Sequence, residues 1–225
     1  MSSPYDSDPD EDSPEAVNEE FWKAAHEGNV KNASFLREEG GADVEYRDEN
    51  GWTPLNVAAY RGHADMVRYL TEEAGADVDG EDNVGWTPTF VAALNGRLEV
   101  ARILVEERGA DANEARANNG WTPLHVSARF NKLEVVKWLV TKRGADVYEE
   151  DNDGRTPLSL AIQSGSTAAV SFLQNWSLSV LPRRAVLASV NLARRHQPKR
   201  RFVPELLRRL AAAPDDIVRV ILEFV

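Results

Sequence analysis

An all-α solenoid built from repeated helix pairs is the fold class that the sequence predicts, and two landmarks in fixed phase predict it. The first landmark, Gly-Trp-Thr-Pro, recurs every 34 or 35 residues, at 51–54, 85–88 and 120–123, with Gly-Arg-Thr-Pro at 154–157. The second, Gly-Ala-Asp, stands at 41–43, 75–77, 109–111 and 144–146. Self-similarity at such a period is typical of architectures in which each repeat buries its core against its neighbours.

The residues inside each unit predict two short helices. Thr-Pro predicts the start of the first helix, because the threonine hydroxyl accepts free backbone N–H groups and proline suits the first helical position. Breaks at Gly62, Gly96, Asn131 and Gly165 fit the left-handed backbone that ends a helix. An apolar-periodic segment then predicts the second helix, as at Met66, Val67 and Leu70.

This unit resembles the ankyrin repeat, a helix–turn–helix–hairpin module. The resemblance is carried by TPLNVAAYRGHADMVRYLTEEAGADV (53–78) and TPLHVSARFNKLEVVKWLVTKRGADV (122–147). An N-terminal unit without Thr-Pro fits the same phase through Phe21 and Gly28 and is interpreted as a capping repeat. The resemblance covers 19–176 and implies five repeats, numbered one to five here: 19–43, 44–77, 78–111, 112–146 and 147–176.

Three departures from the family pattern carry expectations of their own. Every unit has one more residue before Gly-Ala-Asp than the family pattern, which predicts a longer exit from the second helix. Thr89-Phe90 stands where the family has Leu-His, so packing and hydrogen bonding in repeat three should differ from those of the other repeats. The loop 112–120 is one residue longer than its neighbours.

The resemblance implies a protein partner bound on the concave surface that hairpin tips and first helices form. The family's variable positions map onto Trp52, Tyr60, Arg61, Trp86, Leu94, Asn95, Trp121, Arg129, Phe130, Arg155, Gln163 and Ser164. The loops add Tyr46, Arg47, Glu81, Arg116 and Tyr148. Rigid aromatic residues are enriched in interaction hot spots, where each buries about 150–250 Å².

Two interpretations of the three loop tryptophans stay open. Trp52, Trp86 and Trp121 either contact a partner or pack on the neighbouring hairpin and proline. Tyr60 and Phe130 are better candidates for partner contact, because they stand late in the first helix at positions that the fold does not need to be apolar.

The patterns that carry chemistry are missing from the sequence. There is no cysteine, no nucleophile elbow, no phosphate loop and no His-Glu-x-x-His, and the four histidines lie far apart. Acidic pairs at 38–39, 72–73, 106–107 and 149–150 are adjacent residues that do not face one another on a helix, so they are interpreted as a solvated rim. We therefore expect no enzyme, no cofactor, no metal and no small-molecule substrate.

The two ends differ in charge from the repeats between them. Residues 1–18 hold six acidic residues and no basic one, which predicts a disordered segment. Residues 176–225 hold ten basic and four acidic residues, and 177–225 is expected to form a helical C-terminal cap with a basic segment. The charges of the ends cancel, so the repeats carry the whole net charge of −11, which disfavours binding of nucleic acid by the array.

Two alternative functions rest on the C-terminal residues. The basic part of 183–209 could support nuclear or nucleic-acid association. Residues 213–225 are similar to the opening helix of an F-box, which would imply a substrate adaptor of a ubiquitin ligase. The sequence contains no signal peptide and no apolar run long enough to span a bilayer, so the cytosol or the nucleus is expected.

Overall fold

Ten helices and no strand make up the part of the chain that the computed structural model describes, residues 13–113 and 119–176. The predicted all-α class is thereby confirmed. The helices are α1 Pro14–Glu27, α2 Val30–Glu38, α3 Pro54–Arg61, α4 Ala64–Glu72, α5 Pro88–Asn95, α6 Leu98–Arg102, α7 Pro123–Arg129, α8 Leu133–Lys142, α9 Pro157–Gln163 and α10 over 167–176. The chain divides into two units, and the boundary between them lies between Phe172 and Leu173.

The helices pack in chain order as two layers. The first helices of successive repeats lie against one another, α1 on α3, α3 on α5, α5 on α7 and α7 on α9. Among the second helices, α2 packs on α4 and α4 on α6. Small residues such as Ala58 and Ala92 are fully buried in the first layer, and Leu70 and Leu139 fill the space beneath the second. Each fully buried leucine side chain contributes about 1.5–3 kcal/mol to stability by leaving water.

Threonine caps start four of the five first helices, as the Thr-Pro motif predicts. The hydroxyls of Thr53, Thr87, Thr122 and Thr156 each accept the backbone N–H three residues on, and a proline follows each one. Because these caps satisfy N–H groups that the helix itself leaves free, helices of seven or eight residues hold their first turn.

The additional residue before Gly-Ala-Asp lengthens the end of the second helix, as expected. In four repeats the alanine N–H of that motif donates to a carbonyl six residues earlier, at 2.8–3.1 Å: Ala42 to Leu36, Ala76 to Leu70, Ala110 to Leu104 and Ala145 to Leu139. The common helix-ending bond of this kind spans one residue fewer. In repeat three the same lengthening appears as a π-helical turn over Ile103–Glu107, which continues α6.

The first helix begins earlier than the sequence analysis predicts. Residues 14–18 were assigned to the disordered acidic segment from their composition, and that assignment is wrong because α1 starts at Pro14. Ser13 accepts the N–H of Ala16, Pro14 occupies the first helical position, and Glu15 adds a negative charge to the first turn. Together these local signals outweigh the polar composition. Residues 1–12 lie outside the described part of the chain.

Several further expectations concern residues that the structure does not describe. They are the cap and basic segment at 177–225, the F-box-like stretch within it, and Arg116 in the loop of repeat four. Each stays a prediction.

In repeats two and four, a side chain of the first helix tethers the repeat to the loop of the next one. His125 is fully buried, and its Nδ1 accepts the Thr122 hydroxyl at 2.8 Å. Its Nε2 donates to the backbone oxygen of Arg155 at 3.1 Å. Asn56 occupies the equivalent place in repeat two and donates to the backbone oxygen of Trp86 at 3.4 Å.

Repeat three lacks this tether, as its Thr89-Phe90 sequence predicts. Phe90 is 1% exposed and offers no hydrogen-bond donor, and the hydroxyl of Thr89 is buried without a partner. Phe90 instead stacks on Trp86, with ring centroids 5.5 Å apart. Aromatic packing thus replaces the hydrogen bond at this position.

Replacing His125 by alanine should lower the free energy of unfolding by about 2–4 kcal/mol, because a cap is lost and two buried groups lose their partners. Replacing it by asparagine, the residue found at the same place in repeat two, should restore most of that loss at neutral pH. Urea unfolding followed by tryptophan fluorescence measures both.

The same two proteins test the charge state of His125. Burial lowers the pKa of His125 below its ordinary value of 6.5, so the unfolded chain takes up a proton more readily than the folded one. The unfolding free energy of the wild type should therefore fall as the pH drops below about 6.5, and His125→Asn should lack that part of the decline. Identical pH profiles for the two proteins would contradict a neutral, buried His125.

Candidate partner-binding surface

An aspartate folds three of the loops that precede a first helix. Oδ1 of Asp48, Asp82 and Asp151 accepts the backbone N–H groups two and four residues on, at 2.8–3.0 Å. In repeat four Asn119 accepts the N–H of Trp121 at 3.1 Å instead. A side chain of the loop therefore holds the backbone N–H of the residue that follows the loop glycine in all four cases, at 52, 86, 121 and 155.

Neighbouring loops stack in register. The N–H of Asn83 donates to the backbone oxygen of Asn50 at 3.2 Å, and that of Asn152 donates to Asn119 at 3.0 Å. Gly51 lies beneath Asn83 with φ +80°, and a β-carbon there would overlap the Asn83 side chain. Glycine is therefore required both by the left-handed backbone and by the close approach of the next loop.

Five side chains of repeats one and two form what we call the N-terminal cluster: Trp22, His26, Trp52, Tyr60 and Arg61. The Trp52 ring meets Tyr60 at an angle of 62°, with centroids 5.3 Å apart, and Trp22 stacks on His26 at 5.6 Å. Arg61 Nε donates to His26 Nε2 at 3.0 Å. Burial, and then the Arg61 charge, lowers the pKa of His26, so this imidazole accepts from the guanidinium as a neutral ring.

A groove of about 590 Å³ opens beside this cluster. Besides the N-terminal cluster, it is lined by Asp48, Glu49, Asn50, Val57, Asp82, Asn83, Val84 and Trp86. Aromatic rings and carboxylates therefore share one concavity.

Four side chains of repeats four and five form the C-terminal cluster: Trp121, Arg129, Phe130 and Arg155. The Arg129 guanidinium lies over Trp121 at 5.3 Å and near Phe130 at 5.9 Å. Arg155 also approaches the Trp121 ring, at 6.0 Å from its centroid. Cations at such distances are attracted by the negative faces of aromatic rings.

Asp151 anchors the C-terminal cluster from below. Its side chain is fully buried, and Oδ2 accepts the Trp121 indole N–H at 2.9 Å and Arg155 Nε at 2.8 Å. Burial alone would raise the pKa of Asp151, but hydrogen bonds from the Arg155 backbone and guanidinium, the Asp153 backbone and the Trp121 indole outweigh it and lower the pKa. The carboxylate is therefore stably ionised.

Asp82 is the counterpart of Asp151 in repeat three, and it differs in one respect. Trp52 precedes Asp82 by 30 residues, as Trp121 precedes Asp151, yet Oδ2 of Asp82 is buried without a hydrogen-bond partner. Four residues on, Trp86 stands where Arg155 stands in repeat five.

Eight of the predicted partner-binding residues fall into the groove or the C-terminal cluster. Trp52, Tyr60, Arg61 and Trp86 line the groove, while Trp121, Arg129, Phe130 and Arg155 form the cluster. The other predicted positions that the structure describes belong to neither set. Leu94, Asn95 and Tyr46 are half-buried, Arg47 donates to backbone oxygens of Gly51 and Glu81, Ser164 bonds to the Arg129 backbone, and Gln163 and Tyr148 are exposed.

Sequence reasoning missed Trp22, His26 and Asp82 as groove residues. Trp22 and His26 stand in the N-terminal unit, which lacks the Thr-Pro landmark used to align positions. A signal for Asp82 was available, because aspartate recurs three residues before the loop glycine at 48, 82 and 151.

The acidic pairs on the second helices are more than the solvated rim expected from the sequence. Glu72 pairs with Arg108 at 2.7 Å and Glu107 with Arg68 at 3.3 Å, so each pair joins neighbouring repeats. Glu106 accepts the indole N–H of Trp138 at 2.9 Å, and this bond lowers the pKa of Glu106. These carboxylates brace the outer layer.

Two searches bear on other kinds of site. Within residues 13–113 and 119–176, no three His, Asp or Glu side chains lie close enough together to hold a metal ion. None of the helices in these same ranges combines the length and the apolar character that crossing a bilayer requires.

Replacing Asp151 by asparagine should lower the free energy of unfolding by about 1–3 kcal/mol, since the buried charge-assisted bonds to Trp121 and Arg155 are weakened. Asp65→Asn removes the same charge from a side chain that is 93% exposed and should change stability little. Thermal unfolding of the two variants beside the wild type measures the difference.

The stabilisation by Asp151 should also depend on pH. Because its pKa is lower in the folded chain than the ordinary 3.8, the contribution is present above that value and is lost as the pH falls below it. The wild type and Asp151→Asn should therefore converge in stability in acid. A difference that stays constant down to the acid transition would contradict this account.

The comparisons with known proteins agree with this architecture. The family model for ankyrin repeats (3 copies) matches residues 21–116 and 108–180 of this chain. A search of curated proteins finds no match. The family match covers well over half of the chain, from within α1 to beyond α10, so the resemblance drawn from Gly-Trp-Thr-Pro and Gly-Ala-Asp is confirmed. This chain belongs to the ankyrin-repeat family.

Proposed function

We propose that this protein is a non-enzymatic interaction module that binds a protein partner through the groove and the C-terminal cluster. Ankyrin repeats are protein–protein interaction modules in general. Beyond that general role, we propose which surface of this chain binds the partner. The observation that carries it is the exposure of Tyr60 and Phe130, which are 36% and 49% exposed. Tyr60 lies in the last turn of α3 and contacts Trp52 and Arg61, while Phe130 directly follows α7 and lies beside Arg129, whose guanidinium covers Trp121.

The surroundings of these two rings support a binding role. Arg61 lies over Tyr60 at 5.9 Å, and Arg129 lies equally far from Phe130. Exposed aromatic rings held by neighbours lose little conformational freedom when a partner covers them. Contacts made at both ends of the array would give a partner segment two anchoring points, separated by repeat three.

A binding role also suits the chemistry of the groove. Its polar groups comprise three carboxylates, an arginine already engaged by a histidine, the Tyr60 hydroxyl and amide side chains. The residues that line the described groove include no serine, threonine or cysteine, the side chains that most often act as nucleophiles in covalent catalysis.

The test is a double substitution, Tyr60→Ala with Phe130→Ala. Proteins captured by the immobilised full chain should be lost from the double variant, identified by quantitative mass spectrometry. The melting temperature should fall only slightly, because both rings keep a large exposed fraction and exposed positions away from special contacts cost little.

Phe35→Ala provides the matched control. Phe35 is 62% exposed and lies on α2, in the second-helix layer, so the captured proteins should stay unchanged. If Phe35→Ala removes the same proteins, or if the double variant retains them, the partner does not bind where we propose. Loss of cooperative unfolding in the double variant would instead assign the two rings to the fold.

A further inference from the structure

Asp82 holds a buried carboxylate oxygen that no group in the described chain satisfies. The residue is 7% exposed; its Oδ1 accepts from Val84 and Trp86, while its Oδ2 has no hydrogen-bond partner. Buried polar atoms without partners are rare, because they lose their bonds to water and gain nothing in return. Asp82 lines the groove, so a local rearrangement of the groove wall could bring a ligand's donor to this oxygen.

The chain itself shows which donor fits such an aspartate. At Asp151, the same position of the loop two repeats on, Oδ2 accepts from Arg155 Nε at 2.8 Å and from the Trp121 indole. The Arg155 guanidinium lies over the Trp121 ring at 6.0 Å. The groove has the aspartate and the tryptophan of this arrangement, but Trp86 replaces the arginine.

We propose that the groove binds an arginine side chain of the partner, whose guanidinium donates to Asp82 Oδ2 and lies against Trp52. This inference rests on the proposed function, since it identifies the chemistry of the partner at that surface. The charge in the groove is complementary: Asp48, Glu49 and Asp82 face one cation, Arg61, which is already bonded to His26.

Arginine fits better than lysine for two reasons. Its flat guanidinium can donate to a carboxylate while it stacks on an indole, as Arg155 does, whereas an ammonium is a compact and strongly hydrated charge. The aromatic residues Trp22, Trp52, Tyr60 and Trp86 supply the walls that such stacking uses.

Binding requires a local rearrangement, because Oδ2 of Asp82 is shielded from water. We expect the Trp52 side chain to be the group that moves. Its ring now meets Tyr60 edge-on, whereas the equivalent Trp121 is turned so that its indole N–H bonds to the aspartate. In the bound state the Trp52 indole N–H turns toward Asp82, as that of Trp121 does toward Asp151, and the guanidinium of the partner donates a second hydrogen bond to Oδ2.

The first experiment titrates the ¹⁵N-labelled full chain with acetyl-Gly-Arg-Gly-amide and records the indole and backbone N–H resonances by NMR. The matched probe is the same peptide with citrulline, which has the shape of arginine without its charge. The arginine peptide should shift the Trp52 indole and the N–H groups of Val84 and Trp86, while the citrulline peptide binds about tenfold more weakly or worse.

Two variants of the chain test the site from opposite sides. Asp82→Asn should remove the preference for arginine over citrulline. Trp86→Arg places a guanidinium four residues after Asp82, as in repeat five, and should remove the response to the peptide by filling the site from within the chain. Asp65→Asn, an equal change of charge on an exposed side chain, should leave the titration as in the wild type.

Several results would overturn the proposal. These are equal binding of the two peptides, an unchanged preference in Asp82→Asn, or shifts confined to residues outside the groove. The free chain could also show a Trp52 indole that is already hydrogen-bonded and is released when Lys199, Arg200 and Arg201 are replaced by alanine. That result would assign the site to the chain's own basic segment instead of a partner.

The two proposals can fail separately. Proteins captured by the wild type, lost with Tyr60→Ala and Phe130→Ala but fully retained by Asp82→Asn, would leave the interaction surface standing and overturn the arginine site. Proteins that the double variant retains and Asp82→Asn loses would leave the arginine site standing and overturn the assignment of Tyr60 and Phe130 to partner binding.

Discussion

The contact between neighbouring repeats is the constraint on which the rest of this structure depends. A pair of helices of seven to ten residues cannot bury a core by itself, so each first helix must pack on the next one. Asn56 and His125 add directed bonds to the carbonyls of residues 86 and 155, which fix the loop of one repeat to the helix of the previous one. These bonds fix the backbone positions of Trp86 in the groove wall and of Arg155 in the C-terminal cluster.

The groove and the C-terminal cluster are two versions of one arrangement, and they differ in the residue four positions after the aspartate and in the bond from the loop tryptophan. Arg155 neutralises Asp151 within the chain, whereas Trp86 leaves Asp82 unsatisfied and enlarges the aromatic surface. A buried carboxylate oxygen without a partner costs about 1–3 kcal/mol. A repeat array can tolerate that cost because neighbouring interfaces contribute nearly independently to stability. The strain therefore stays local, at a surface where a partner can relieve it.

The outer and inner layers divide the acidic residues between two tasks. On the second helices Glu72, Glu106 and Glu107 are paired with arginines or a tryptophan of the neighbouring repeats or the same helix. On the loops Asp48 and Asp151 organise the backbone and leave little free bonding capacity. Asp82 shares that loop role while keeping one buried oxygen unbonded, which sets it apart from Asp48 and Asp151.

The sequence by itself determined the repeat, the start of each Thr-Pro helix and the longer end of each second helix, because caps, breaks and apolar periods are local signals. It placed Tyr60 and Phe130 beside loop tryptophans only through the phase of the repeat. Tertiary structure decided what local signals cannot carry. The bond from Trp121 to Asp151 spans 30 residues, and the unpaired oxygen of Asp82 exists only because burial removes it from water. The indole of Trp121 in the preceding repeat and Arg155 in the same loop together satisfy Asp151, whereas Oδ2 of Asp82 has neither bond.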